Sequence, residues 1–181
     1  MGSNVRLRHK ARGQEAQGLV EHATDEAAIG EGACAQDLRA GHAMLSPADF
    51  AGPWTLHREI IDHSGAMSGT LVGTADFARG DADTAMYHEN GVLQLARGGH
   101  FTAQRTYVWR WEAARVVVTF ADGAAFHEFV PEGLGAGTAH LCGADLYNVT
   151  YNFSAWPRWE AAWKVQGPRK DYTSISVYTR T

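Results

Sequence analysis

Residues 116–130 read VVVTFADGAAFHEFV, and this stretch is the strongest indication of the fold. Two runs of apolar side chains flank Asp122-Gly123, a typical two-residue turn between antiparallel strands. With the turn at that dipeptide, Val118 lies opposite His127, and cross-strand partners share one face of a sheet. The interior face predicted for this hairpin comprises Val116, Val118, Phe120, Ala125, His127 and Phe129.

The same period-two alternation continues from Trp54 to the end of the chain. Short runs are separated by turn residues, and almost no window favours the 3.6-residue period of a helix. Asn90-Gly91 is a second hairpin signal, and a turn there directs His88 inward. Since closure removes the exposed edges of so many strands, we predict an all-β fold, a closed antiparallel barrel of about ten strands.

The beginning of the chain has a different composition. Every aromatic residue lies at or after Phe50, and the earlier part mixes Gly, Ala, Gln and charged residues. Such a segment buries too little apolar surface to offset the entropy lost on ordering. We therefore predict a flexible tail over residues 1–45 and one barrel domain over residues 46–181.

Composition excludes several classes of function. The net charge of -4 disfavours a nucleic-acid partner, because phosphate binding needs a surplus of Lys and Arg. No apolar run reaches the roughly 20 residues of a membrane span, and the first residues lack the apolar run of a signal peptide, so we expect no membrane partner and a cytoplasmic location. Cys34 and Cys142 are too few for a zinc cluster.

Two histidines are candidates for the barrel interior. If the loop over residues 131–136 closes so that Val130 pairs with Gly137, then His127 lies opposite His140, with side-chain roots about 5 Å apart. Such a pair is compatible with metal or haem binding, with proton transfer, or with two ordinary core histidines satisfied by hydrogen bonds.

A further interior face is predicted on the strand over residues 100–111, where Phe101, Arg105, Tyr107 and Trp109 are spaced for one side. A two-residue turn at Gly98-Gly99 would instead direct Arg105 away from the interior. A glycine bulge would reconcile the two patterns.

Three short runs resemble a family of bacterial and fungal domains of unknown function, and the similarity extends over nearly all of residues 50–180. With Gly52, Trp54 and Arg58, these runs are Asp122-Gly123 followed by Phe126-His127, His140-Leu141-Cys142 leading to Asp145 and Tyr147, and Gly167-Pro168-Arg169-Lys170-Asp171-Tyr172. Ala124 departs from the basic residue expected at its position.

The resemblance implies a calycin-like barrel, similar in outline to lipocalins and fatty-acid-binding proteins, and it implies no known reaction. The ending Tyr178-Thr179-Arg180 also resembles the inward Arg and Tyr pair with which cytosolic fatty-acid-binding barrels hold a carboxylate.

Nine side chains are the candidate ligand-binding residues, since pockets combine apolar walls with a few convergent polar groups. They are Arg105, Tyr107, His127, His140, Asp145, Tyr147, Tyr151, Tyr178 and Arg180. A guanidinium inside a barrel requires a carboxylate or phosphate partner, from the protein or from a ligand. The leading hypothesis is therefore binding of a small, carboxylate-bearing molecule, without an identified cofactor, metal or oligomeric state.

Other hypotheses use the same residues. The interior histidines could serve a small barrel enzyme such as an isomerase, cyclase or decarboxylase, or the axial positions of a haem. Alternatively, the polar groups satisfy one another in a buried network without a ligand. A third class of function is a protein-interaction module that uses the outer face of the barrel.

Overall fold

The structure is a computed structural model that describes residues 44–65 and 67–181. In this part of the chain one short helix precedes eleven strands. They are α1 (Pro47–Phe50), β1 (Gly52–Asp62), β2 (Gly69–Arg79), β3 (Thr84–Leu95), β4 (His100–Glu112), β5 (Arg115–Phe120), β6 (Ala125–Phe129), β7 (Leu134–Ala136), β8 (His140–Cys142), β9 (Asp145–Asn152), β10 (Trp159–Gly167) and β11 (Lys170–Arg180). The predicted tail lies, except for its last two residues, outside the described residues.

The strands form one antiparallel sheet that curls into a nearly closed barrel. Its order is β6-β5-β4-β3-β2-β1-β11-β10-β9-β7, and β8 also pairs with β9. Strands β7 and β8 pair with successive stretches of β9, so together they take the place of one interrupted strand. Hydrogen bonds between Thr138 and Glu128 bridge the seam to β6. The prediction of an all-β barrel of about ten strands is confirmed.

The predicted turn at Asp122-Gly123 is present, and the pairing of Val118 with His127 is confirmed. The register shifts beyond Val118, however, so that Thr119 pairs with Ala125. Because of this bulge, Ala125, which was predicted to face the interior, is exposed, and Phe126 packs inside instead.

The turn predicted at Asn90-Gly91 is wrong, because Thr84–Leu95 is one continuous strand. Gly91 lies opposite Gly73 of β2, where the backbones approach so closely that a Cβ on Gly73 would lie 2.1 Å from the Asn90 carbonyl oxygen. The glycine therefore serves close strand packing and not a turn.

The turn after β3 covers residues 96–99 and sets the register between β3 and β4. In this register the predicted orientation of His88 is reversed. Tyr87 and Glu89 are buried in the interior, whereas His88, predicted to face inward, is exposed. Glu89 pairs with Arg105, so Arg105 faces inward without a glycine bulge.

Helix α1 closes one end of the barrel. Phe50 is fully buried, and its ring contacts Phe77, Trp109 and Trp159. The Trp54 indole Nε1 donates a hydrogen bond to the Phe50 carbonyl oxygen at 2.8 Å. The turns after β1, β3, β5, β8 and β10 lie at the opposite end, which is open. No helix among the described residues is long and apolar enough to cross a membrane.

Candidate functional site

A cavity of about 510 Å³ occupies the open half of the barrel. Its volume falls within the range of small-molecule pockets, roughly 300–1,000 Å³. The wall is largely aromatic and aliphatic because the inward positions of the alternating strands are apolar. The main wall residues are Ile60, Leu93, Tyr107, Phe120, Phe126, Trp163 and Val165.

A buried ion pair forms the floor of this cavity. The Arg58 guanidinium donates two hydrogen bonds to the Glu89 carboxylate, both at 2.7 Å, and its Nε donates to Ser176 Oγ. Tyr87 donates a further hydrogen bond to Glu89 Oε2 at 2.5 Å. Both carboxylate oxygens of Glu89 are thus occupied by donors of the protein.

Charge is retained in this buried pair. Burial raises the pKa of a carboxyl group, but the hydrogen bonds and charge of Arg58 reverse that effect and hold the pKa of Glu89 below its ordinary value. Burial opposes the charged form of Arg58 too, yet Glu89 keeps the pKa of Arg58 raised. The floor therefore contains a guanidinium and a carboxylate that neutralise each other.

Arg105 adds a second cation beside this pair. Its Nε lies 3.6 Å from Glu89 Oε1, too far for a good hydrogen bond, and its side chain is 51% exposed where it lines the cavity. Burial tends to lower the pKa of Arg105, but the surrounding phenols and Glu89 keep it raised. Arg58, Glu89 and Arg105 together carry one net positive charge.

The rim of the cavity contains residues of the run Gly167-Pro168-Arg169-Lys170-Asp171-Tyr172. Lys170 Nζ contacts Asp145 Oδ2 at 2.8 Å and donates a hydrogen bond to the Tyr147 hydroxyl at 2.8 Å. The carboxylate of Asp145 raises the pKa of Lys170. Asp145 also lies directly over Gly167, where a Cβ would come within 1.9 Å of its Oδ1. This glycine therefore makes room for the carboxylate that binds Lys170.

The structure brings four of the nine predicted site residues to the main cavity, namely Arg105, Tyr107, His140 and Tyr147. Asp145 lies at the rim, where it forms an ion pair with Lys170. His127, Tyr151 and Tyr178 are buried in a deeper layer of the barrel and line a smaller chamber.

Arg180 does not lie in the cavity. It pairs with Trp54 at the closed end, where its guanidinium lies 3.9 Å from the centroid of the Trp54 ring and donates hydrogen bonds to the carbonyl oxygens of Asp49 and Ala51. Alternation correctly places Arg180 on the face of Tyr178, but the strand has by then passed the end of the barrel. Its role as an anion donor in the cavity is therefore excluded by its position.

The predicted opposition of His127 and His140 is wrong. Gly137 donates its backbone hydrogen bond to Val149, and His140 pairs with Tyr147 of β9. Each imidazole instead makes an edge contact with Phe126, with ring centroids 4.6 and 5.0 Å apart.

His127 is a buried, neutral histidine. Its Nε2 forms a hydrogen bond with the Tyr151 hydroxyl at 2.8 Å. Burial, with a smaller contribution from His140, lowers its pKa to about 3. Among the described residues no group of three potential metal ligands is present.

Sequence reasoning missed two residues of the floor, Arg58 and Glu89, as site residues. Arg58 is detectable, because it alternates with Trp54 and Leu56 on the inward face of β1. Glu89 is hidden by the misread turn at Asn90, since that reading directs His88 inward and Glu89 outward.

Solved structures that are similar in fold include the following two. The S-type phycobiliprotein lyase CpeS from Guillardia theta is 10% identical, with a TM-score of 0.55, over 75% of this chain and 90% of that chain. A protein of unknown function of the DUF3598 family from Nostoc punctiforme is 13% identical, with a TM-score of 0.50, over 80% of this chain and 51% of that one. At such identities the likeness shows the fold alone.

No curated protein matches this sequence. A family model does match, and it covers the whole barrel together with the last residue of α1. The chain thus belongs to the family of unknown function DUF6314, whose model matches residues 50–180.

Proposed function

We propose that this chain binds a small organic anion in the open cavity, with Arg105 as the group that holds the acidic end. The observation that carries the proposal is a cavity of about 510 Å³ with an apolar wall and a half-exposed guanidinium at its floor. Pockets of this kind bind ligands through apolar contact area and gain specificity from a few fixed polar groups.

Arg105 can donate hydrogen bonds to a ligand, because its protein partner Glu89 already accepts hydrogen bonds from other residues. Glu89 accepts two short hydrogen bonds from Arg58 and one from Tyr87. A carboxylate or sulfonate placed beside Arg105 would therefore meet an incompletely paired cation in a site of low dielectric, where charge-assisted hydrogen bonds are strong.

Apart from Glu89 at the floor, the carboxylates that line the cavity lie at its mouth. Asp62 ends β1 and Asp171 lies at the start of β11, both at the open end. Asp62 accepts hydrogen bonds from Ser64 and Met67. This distribution favours an anion held at the floor with its organic body towards the mouth.

The experiment uses two fluorescent probes that differ by one charge: 1-anilinonaphthalene-8-sulfonate and N-phenyl-1-naphthylamine, which has the same rings without the sulfonate. Replacing Arg105→Gln should weaken sulfonate binding roughly ten- to a hundredfold, the value of a charged hydrogen bond of about 1.5–3 kcal/mol. Binding of the uncharged probe should change little, because the apolar wall is intact. Titration of probe fluorescence measures both affinities.

Arg110→Gln is the matched control, since Arg110 lies on the same strand with its side chain outside the barrel, paired with Glu112. It should leave both affinities unchanged. Equal affinity of Arg105→Gln and the unmodified chain for the sulfonate probe would refute the proposed anion site, and a matching loss for both probes would assign Arg105 to cavity shape alone.

A further inference from the structure

A second, smaller chamber lies beneath the floor of the main cavity. It has a volume of about 40 Å³ and shares Arg58, Arg105, Tyr107, Phe126 and Trp163 with the main cavity, so the two spaces adjoin. We call it the inner chamber. Its other lining residues come from the deep layer of the barrel and include His127, Tyr151, Trp159, Ala161 and Tyr178.

Two buried polar atoms on residues of this lining lack a hydrogen-bond partner within the described part of the chain. They are Trp159 Nε1 and His127 Nδ1, on side chains of residues that are 1% and 4% exposed. Buried polar groups are nearly always paired with protein or with ordered water, because an unpaired one loses its hydration without compensation. Two such atoms around one chamber therefore indicate a bound polar partner.

The chamber favours an uncharged occupant. Arg58 and Glu89, which both line it, already neutralise each other, and the lowered pKa of His127 keeps the imidazole neutral. A cation would be desolvated beside the net positive charge of Arg58, Glu89 and Arg105. Arg105 offers an anion a counter-charge, but its half-exposed side chain also lines the main cavity, which has far more room for one.

The volume of the chamber restricts the occupant to a very small molecule. A water molecule needs roughly 10–15 Å³ of such space together with two to four polar partners. The inner chamber meets both conditions for one or two water molecules, and the Tyr151 and Tyr178 hydroxyls supply additional partners.

We propose that the inner chamber is a binding site for a small uncharged hydrogen-bonding molecule, namely one or two ordered waters held by Trp159 Nε1 and His127 Nδ1. Trp159 Nε1 can only donate, so it requires an acceptor. His127 Nδ1 donates or accepts according to whether Nε2 receives or gives the hydrogen bond with Tyr151. Water satisfies both atoms in either tautomer, and a ligand in the main cavity would then rest on a hydrated floor.

The test requires no ligand, so it is independent of the proposed anion binding. In the ¹⁵N-labelled full chain, a water-selective Overhauser experiment should show transfer from water to the Trp159 indole proton. Trp54 is the internal control, because its Nε1 is buried and donates to the Phe50 carbonyl oxygen, and its indole proton should show no transfer. Absence of transfer to Trp159 would overturn the proposal.

Ala161→Val places two methyl groups in the inner chamber and should abolish the transfer at Trp159. Ala162→Val is the matched control on the same strand, because Ala162 lines neither cavity, and it should preserve the transfer. Transfer that survives in a folded Ala161→Val chain would also overturn the proposal. If that variant does not fold, a crystal structure of the unmodified chain decides the question: density within hydrogen-bond distance of Trp159 Nε1 supports the site, and an empty chamber refutes it.

Discussion

Arg58 and Glu89 illustrate how a buried charge depends on its partner. Replacing Glu89→Gln leaves the Arg58 guanidinium buried beside a neutral amide, and we expect a loss of about 3–5 kcal/mol in the free energy of unfolding. The double replacement of Arg58→Met with Glu89→Leu removes both charges and should recover most of the loss. Urea denaturation followed by tryptophan fluorescence measures all three proteins.

An exposed ion pair provides the comparison. Glu160 contacts Arg158 at 2.6 Å on the surface, and replacing Glu160→Gln should change the stability by about 1 kcal/mol or less. Similar losses for Glu89→Gln and Glu160→Gln would contradict the argument that Arg58 depends on Glu89 for its charge.

His127 makes the stability of the barrel depend on pH. Its pKa is about 3 in the folded chain and near 6.5 when unfolded, so below 6.5 the unfolded chain binds a proton that the native chain does not. The free energy of unfolding therefore has no dependence on His127 protonation above pH 6.5. Below that pH, protonation of His127 in the unfolded chain lowers it progressively until the pH reaches about 3. The slope of this dependence is at most about 1.4 kcal/mol per pH unit.

His127→Gln keeps a hydrogen-bonding group beside Tyr151 and does not titrate. Over the same pH interval its free energy of unfolding should therefore fall less steeply than that of the unmodified chain. Parallel curves from denaturation at a series of pH values would show that His127 is not protonated on unfolding.

At the scale of strands, the sequence predicted the structure where a pattern had one interpretation, and it misled where the same residues had two. Alternation around the Asp122-Gly123 turn predicted the inward face of His127, because side chains on a strand point to alternate sides regardless of what surrounds them. The dipeptide Asn90-Gly91 satisfies two different requirements, a tight turn and a close approach of two strands. Only the position of Gly73 across the sheet distinguishes them, and that contact is not local in sequence.

Gly73 allows a direct test of this explanation. Replacing Gly73→Ala forces a methyl group against the backbone of Asn90 and Gly91, so we expect a loss of stability of about 1–3 kcal/mol from overpacking. Gly135→Ala is the control, since nothing lies within 4 Å of a Cβ at that strand position. Thermal unfolding should show a clear decrease for the first variant and little change for the second, and equal behaviour would contradict the close approach.

The candidate site was only partly predictable because alternation gives the side of a sheet and not the height along the barrel. Tyr178 and Arg180 share the inward side, yet Arg180 lies beyond the closed end and binds the carbonyl oxygens around α1. His127 likewise points inward, but it lies below the main cavity. Height depends on where each strand begins relative to its neighbours, which the hairpin registers determine.

For the molecule as a whole, the aromatic cluster around Phe50 and the proposed binding site lie at opposite ends of the barrel. The closed end contains Phe50 among the rings of Phe77, Trp109 and Trp159, whereas the open end contains the cavity with Arg105. Replacing Phe50→Ala removes a fully buried ring, and we expect a loss of about 3–5 kcal/mol in the free energy of unfolding. Arg105→Gln should change the stability by less than about 1 kcal/mol, because its side chain is half exposed and its ion pair is long.

The two variants should differ in the opposite way in their affinity for the probe. Under conditions in which Phe50→Ala is still folded, its affinity for 1-anilinonaphthalene-8-sulfonate should equal that of the unmodified chain, because the lining of the main cavity is intact. Arg105→Gln should lose affinity at nearly full stability. Denaturation and probe titration on the same two variants measure both quantities. A Phe50→Ala chain that is folded but binds the probe much more weakly would show that the two ends of the barrel are coupled through the side chains between them.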